Sequence, residues 1–319
     1  MTKFLSSIQP ENKPIIAASL CIIVILLIGT GYTLTMQGTA PLLSPHYLLQ
    51  QLQTGSFLGI VAAGMMMVIL LGHIDLSVPW TLTASAMMAA SVGGNMALPT
   101  GIAVGLIVGL LNGLGVAYLR IPSMIFTLGV DSVLRGLMVA HTGGFAPQDQ
   151  ATPLMRFLAA DHILGIPVAI FVWAMVSVCI AVILTRTSFG RSIYATGNRE
   201  GAAYLSGIRT RLVIVGTFMV SGICAAIAGV LLAGYSAKAY QGMGLPYLLP
   251  AIAAVVLGGT RILGGQGRYI GTLVGVVLIV LLNSVLSIMQ MPEAGRQIIY
   301  GTVIIGMLLA YGRTAKVTS

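Results

Sequence analysis

The chain has 319 residues, of which 57% are hydrophobic and 7% charged, with a mean hydropathy of +0.99. Soluble domains carry about a quarter charged residues, so the composition excludes one and indicates an all-α polytopic membrane protein. The formal charge of +9 is spread over several loops with no aromatic-interleaved basic patch, which argues against a nucleic-acid partner.

A helix needs about 20 mostly apolar residues to cross a hydrocarbon core of roughly 30 Å. The first such run, 14–36, holds no charge, and its length and continuation into further spans favour a retained helix over a cleaved signal. In chain order the predicted spans are 14–36, 54–71, 76–94, 98–119, 123–140, 163–184, 212–232, 246–257, 270–288 and 298–311. The eighth is short, begins with Pro246 and Pro250 and ends at Gly258-Gly259, so a broken or re-entrant segment is expected there. Five spans on each side of the loop around 141–162 would place the two halves in opposite orientations, although no residue-by-residue repeat is visible.

Short basic loops stay cytoplasmic. With the N-terminus inside, Lys3, Lys13, Arg120, Arg186, Arg191, Arg199, Arg209, Arg211, Arg261, Arg268, Arg313 and Lys316 are inside, and Arg156, Lys238 and Arg296 outside, twelve against three, with Arg135 within a helix. This asymmetry predicts both termini in the cytoplasm. The chain then reads as one transmembrane domain, 1–319, with 185–211 as a cytoplasmic loop. That loop holds five of the sixteen Lys and Arg.

Within the loop, Asn198 is expected to cap a short helix through Arg199, Glu200, Ala202, Ala203 and Leu205, ended by Gly207. Small apolar residues between charges suit a partner's groove; a solvated loop held inside by its charge is the competing account. Gly101, Gly105, Gly109 and Gly113 recur every four residues on one helix face, which suits close helix packing, and a dimer seam is the alternative. Asn112 and Asn283 can bond across helices or touch a polar solute. Asp131 and Arg135, at i and i+4 inside a span, can form an ion bridge or serve transport. Asp75 is placed to cap the third helix.

No phosphate-loop motif, H-E-x-x-H, C-x-x-C or G-x-S-x-G occurs, and His46, His73, His141 and His162 are dispersed, so neither an enzyme nor a metal site is indicated. Cys21, Cys179 and Cys224 fall within spans, where they are expected as small buried apolar side chains.

Taken together, Gly72-His73-Ile74-Asp75-Leu76-Ser77, Leu110-Leu111-Asn112-Gly113, Ile121-Pro122 with Thr127-Leu128-Gly129, Gly190-Arg191 with Ala202-Ala203 and Leu205-Ser206-Gly207-Ile208, and Ala253 to Thr260 with Gly264-Gly265-Gln266-Gly267 resemble the ribose/xylose/arabinose-type ABC transporter permeases, over roughly residues 54–313. The resemblance implies a subunit of a bacterial inner-membrane importer that moves a monosaccharide from periplasm to cytoplasm by alternating access. It also implies a second copy of the permease, a periplasmic sugar-binding protein and a cytoplasmic ATPase that carries the ATP and Mg, with no cofactor in this chain. Gly190, Arg191, Asn198, Arg199, Glu200, Ala202, Ala203, Leu205 and Gly207 would then form the ATPase-coupling segment. His73 and Pro79 stand where the family usually has glycine, and the Glu that commonly precedes the Ala pair is shifted one position earlier, to Glu200. An ATPase-independent secondary transporter or channel for a small polar solute is the alternative class.

Overall fold

The computed structural model describes residues 13–38, 40–145, 147–302 and 305, and these are overwhelmingly α-helical. Helix α1 (Lys13–Gln37) lies at the margin, mostly exposed and packed on α12 (Tyr269–Ile288). Helix α2 (Pro45–Leu70) is the central post, with every residue from Gly55 to Leu70 buried. It starts nine residues before the predicted 54, because Ser44 Oγ accepts the Tyr47 N–H at 3.1 Å and Pro45 occupies the first turn. The glutamines at 50, 51 and 53 dilute the apolar signal there without breaking the helix. Then come α3 (Val78–Val92), α4 (Ala97–Ala117) and α5 (Ser123–His141). Helix α6 (Pro153–Ala160), capped by Thr152, lies in the loop around 141–162, and a small antiparallel pair, β1 (His162–Ile163) and β2 (Ile166–Pro167), takes the first residues of the predicted span 163–184, so the helix there starts only at 168. Helix α7 (Val168–Arg186) precedes two short helices, α8 (Ser188–Asn198) and α9 (Glu200–Leu205). The series closes with α10 (Thr210–Tyr235), α11 (Leu248–Leu257) and α12, then helical residues 293–302. Most of the predicted tenth span, 298–311, lies outside the described residues.

Among the described residues, seven helices are long and apolar enough to cross a membrane. The third and eighth predicted spans are too short to do so. At 15 and 10 residues, α3 and α11 are about 22 and 15 Å long, against a hydrocarbon core of roughly 30 Å. Both begin partway along the bundle. Residues 71–77 run beside the first turns of α5, where Ile74 N–H donates to Ser123 Oγ (3.3 Å), Leu76 N–H to Thr127 Oγ1 (2.9 Å) and Trp80 N–H to Asp131 Oδ1 (3.3 Å). Asp131 is the ninth of the nineteen residues of α5, so α3 starts level with the middle of that helix. The chain entering α11 comes to the same level, since Gly244 N–H donates to Thr83 Oγ1 (3.1 Å) and Gly244 rests against the Pro79 carbonyl. The sequence shows a continuous apolar run from Leu76 onward, which hides this late start.

The two sides of the molecule are joined by α4 against α10. A Cβ at Gly105 would land on the Gly222 carbonyl and one at Gly109 on that of Phe218; Gly113 abuts Val215 and Gly101 the Val230 side chain. Backbone therefore lies against backbone along the glycine stripe, which favours dispersion contact where no hydrophobic drive exists between helices in lipid. Gly105→Val and Gly109→Leu should each lower the thermal midpoint of the detergent-solubilised protein, by an overpacking cost of about 1–3 kcal/mol. Ile107→Leu, at an exposed position, is the control that should leave the midpoint unchanged.

Candidate functional site

At the end of α2, backbone from three segments converges. Gly265 N–H donates to the Leu70 carbonyl at 2.9 Å, and a Cβ at Gly197, near the end of α8, would land on that same carbonyl. Only a glycine fits at 197. Tyr194, one turn earlier on α8, donates its O–H to the Gly267 carbonyl at 2.9 Å, and burial raises its pKa. Helix α8 thus holds both the end of the central post and the loop joining α11 to α12. Its own start is set by Thr187, whose Oγ1 accepts the Gly190 N–H (3.1 Å), with Gly190 packed on the backbone of Ile183 and Leu184.

The expected cap at Asn198 is not formed. Asn198 is the last residue of α8, and Arg199 stands at the start of α9 with extended backbone and no side-chain cap bond. The predicted short helix is present as α9, starting one residue late at Glu200, and Arg199 (φ −162°, ψ 98°) turns the chain between it and α8, which was not predicted. Gly207, at φ 84°, follows the end of α9, and Ile208 N–H closes on the Ala203 carbonyl at 3.1 Å. Ala203 faces inward at 5% exposure, whereas Tyr204 and Leu205 stand out at 68% and 86%. Arg191, Arg199 and Ala202 are exposed. Glu200 bonds with Arg120 at 3.1 Å across a groove and accepts from Thr210 Oγ1 at 3.4 Å; Arg211 lies over the Tyr118 ring, 5.4 Å from its centroid. Arg120 adopts φ 56°, a left-handed conformation that costs a non-glycine residue roughly 1–3 kcal/mol and aims this side chain from the α4–α5 corner toward α9.

From this junction residues 71–77 lead back into the core. Asp75, 2% exposed, accepts from Ser77 N–H (3.0 Å), Ser77 Oγ (2.6 Å) and Ser221 Oγ on α10 (3.4 Å). Asn112 Nδ2 on α4 donates to Ser77 Oγ (2.7 Å), and Asn112 Oδ1 is buried without a partner among the described residues. Asp75 therefore accepts the N–H of the residue before α3. The carboxylate that reaches the first turn of α3 is Asp131, from a different helix. The expected Asp131–Arg135 bridge is absent: among the described residues the ion pairs are Arg120–Glu200 and Arg296–Glu293, and Arg135 is exposed. Asp131 instead accepts from the Trp80 N–H of α3.

Asn283 lies at the other end of the bundle, accepting from Arg296 at 3.1 Å and lining a cavity with Tyr47, Gln51, Tyr240, Tyr247 and Ser287. The sequence signal for this cavity was the polar spacing of Tyr47, Gln51 and Thr54 at i, i+4 and i+7. Tyr194, Tyr204 and Arg120 carried no comparable pattern.

The family described as branched-chain amino acid transport system / permease component matches residues 47–308. The chain belongs to this family of transport permeases. The permease is 35% identical over 272 residues to the ribose import permease protein of Haemophilus influenzae, covering 82% of this chain and 84% of that one. It is 35% identical over 269 residues to the ribose import permease protein of Bacillus subtilis, with coverage of 82% and 84%. The autoinducer 2 import system permease protein of Salmonella typhimurium is 34% identical over 277 residues, 85% of this chain and 79% of that protein. No solved structure matches. The resemblance to the sugar-type ABC permeases carried by the five motifs thus extends over most of the chain, and the permease is a multi-pass protein of the bacterial inner membrane.

Asp131→Leu should lower the thermal midpoint by removing the acceptor for the first turn of α3, a loss of about 1 kcal/mol typical of helix caps. Asp131→Asn retains a side-chain oxygen and should recover most of that stability; equal midpoints for both variants and the wild type would remove the cap from the account.

Proposed function

We propose that the permease is the membrane subunit of an ATP-driven importer that carries a monosaccharide from periplasm to cytoplasm by alternating access. The observation that carries this reading is the seating of Gly197 on the Leu70 carbonyl. It fixes the loop 185–211 directly on the end of the central helix, so a force on α8 and α9 reaches α2 and, through residues 71–77, the start of α3. Two of its relatives are ribose import permeases, which favours a pentose cargo.

In this reading the permease has ten membrane segments and cytoplasmic termini, with α3 and α11 as half-length pairs of the two halves. It pairs with a second copy of itself and receives sugar from a periplasmic binding protein. The cytoplasmic ATPase, which holds ATP and Mg, docks on the loop 185–211. Gly190 and Gly197 keep α8 close to the core. Tyr204 and Leu205 enter a groove of the ATPase, with Arg191, Arg199 and Ala202 around them, while Ala203 and Gly207 hold α9 in shape and Glu200 ties it to Arg120. When the ATPase halves close on ATP, the loop is displaced and the region where α3 and α11 begin changes the side to which it is open.

Reconstitution with its partner ATPase and sugar-binding protein should give ATP-dependent uptake of ribose into proteoliposomes. Uptake by this chain alone, or uptake indifferent to ATP, would favour a secondary transporter or channel. Leu205→Glu should leave membrane insertion and thermal midpoint unchanged yet reduce copurification of the ATPase at least tenfold; full copurification and full uptake in that variant would rule out docking through α9.

A further inference from the structure

We propose that the cavity at the end of the bundle remote from the loop 185–211 binds a neutral polyol of monosaccharide size within a single copy of the permease. Its assignment to cargo rests on the importer reading, whereas the binding itself does not. The cavity measures about 440 Å³ and lies between α2, α12 and the segment leading into α11. Tyr47, Gln51, Thr54 and Leu58 follow one another at helical spacing along one face of α2. The pocket runs from the first turn of α2 to Tyr247 and Pro250 at the start of α11, so its floor lies next to the place where Gly244 meets α3.

The lining has the chemistry of a hydroxyl-rich ligand. Tyr47, Tyr240 and Tyr247 supply aromatic faces for the C–H surfaces of a ring, and convergent polar groups among apolar walls fix orientation. Tyr47 O–H and Ser284 Oγ already bond to each other at 2.6 Å. The amide of Gln51 and the hydroxyls of Tyr240, Tyr247 and Ser287 make no hydrogen bond among the described residues, and they are the groups free to exchange water for a ligand.

Charge balance selects against an amino acid. Among the described residues Arg296 is the charged residue in the lining; it donates to Asn283 and sits 3.7 Å from Glu293, and no described carboxylate lines the cavity to receive an ammonium group. A zwitterion would leave its ammonium unpaired, which a partly enclosed site penalises heavily. A neutral polyol leaves no charge unmet. Two half-length helices whose starts meet beside a cavity are also the usual placement of a transporter's binding site.

The test uses the full-length permease in glycerol-free lipid nanodiscs, without ATPase or binding protein, titrated with ribose, xylose, galactose and leucine by saturation-transfer NMR. Saturable binding of at least one sugar and none of leucine is expected. Gln51→Leu and Tyr247→Phe should each weaken that binding by roughly tenfold, as loss of one hydrogen bond does. Ser287→Trp, which fills the space, should abolish it, with all variants checked for wild-type elution and thermal midpoint. Absence of saturable sugar binding by the folded wild type, leucine binding as tight as sugar binding, or sugar binding unaltered in the variants that fold would each overturn the assignment. ATP-driven uptake by the complete assembly is read in parallel. Sugar that binds but is never taken up rejects the importer reading and keeps the cavity, whereas normal uptake in Ser287→Trp overturns the cavity as a cargo site.

Discussion

Peptide groups that leave a helix inside a membrane have no water to receive them, and each one left unpaired costs several kcal/mol. The start of α3 meets this constraint with side chains from α5: Ser123, Thr127 and Asp131 take the N–H groups of Ile74, Leu76 and Trp80 in turn. Thr83 does the same for Gly244 on the way into α11. These four bonds permit two helices to begin halfway along the bundle.

In the proposed transport cycle the junction at Leu70 is the element that moves the starts of α3 and α11. The same carbonyl accepts from Gly265 and abuts Gly197, so α8, the end of α2 and the loop before α12 are in direct backbone contact. Backbone contact transmits displacement better than long side chains do, because no rotamer change can absorb it. The Arg120–Glu200 pair adds a second link, from α9 to the corner between α4 and α5. Being largely solvent-exposed, it contributes little to stability. Its value lies in direction, since the strained backbone of Arg120 points the side chain at a helix belonging to the other half.

Much of this was legible in the sequence. The apolar runs gave the long helices to within a few residues except for α2, where Ser44 and Pro45 extend the start through a polar stretch, and α7, where the β1–β2 hairpin takes the first five predicted residues, 163–167. Gly207 was readable as a helix end because a left-handed residue is needed there. The start of α3 was not readable, because Val78, Pro79 and Trp80 continue the hydrophobicity of Leu76 and nothing local marks the level at which Asp131 will meet them. Likewise the spacing of Asp131 and Arg135 suggested a bridge, but spacing along one helix cannot show that a neighbouring helix start competes for the carboxylate. The face of α9 that turns outward was also hidden, since six residues are too few for a periodic pattern, and the small Ala203 proved to be the inward one.

The most direct test is the side from which the floor of the cavity can be reached. In the complete assembly in proteoliposomes, with Cys21, Cys179 and Cys224 replaced by serine or alanine, a single cysteine at Tyr247 is treated with a membrane-impermeant thiol reagent from each side. The account predicts reaction from the periplasmic side without nucleotide, and protection from that side when the ATPase is trapped in its ATP-bound state. Equal labelling from the same side in both states would contradict it.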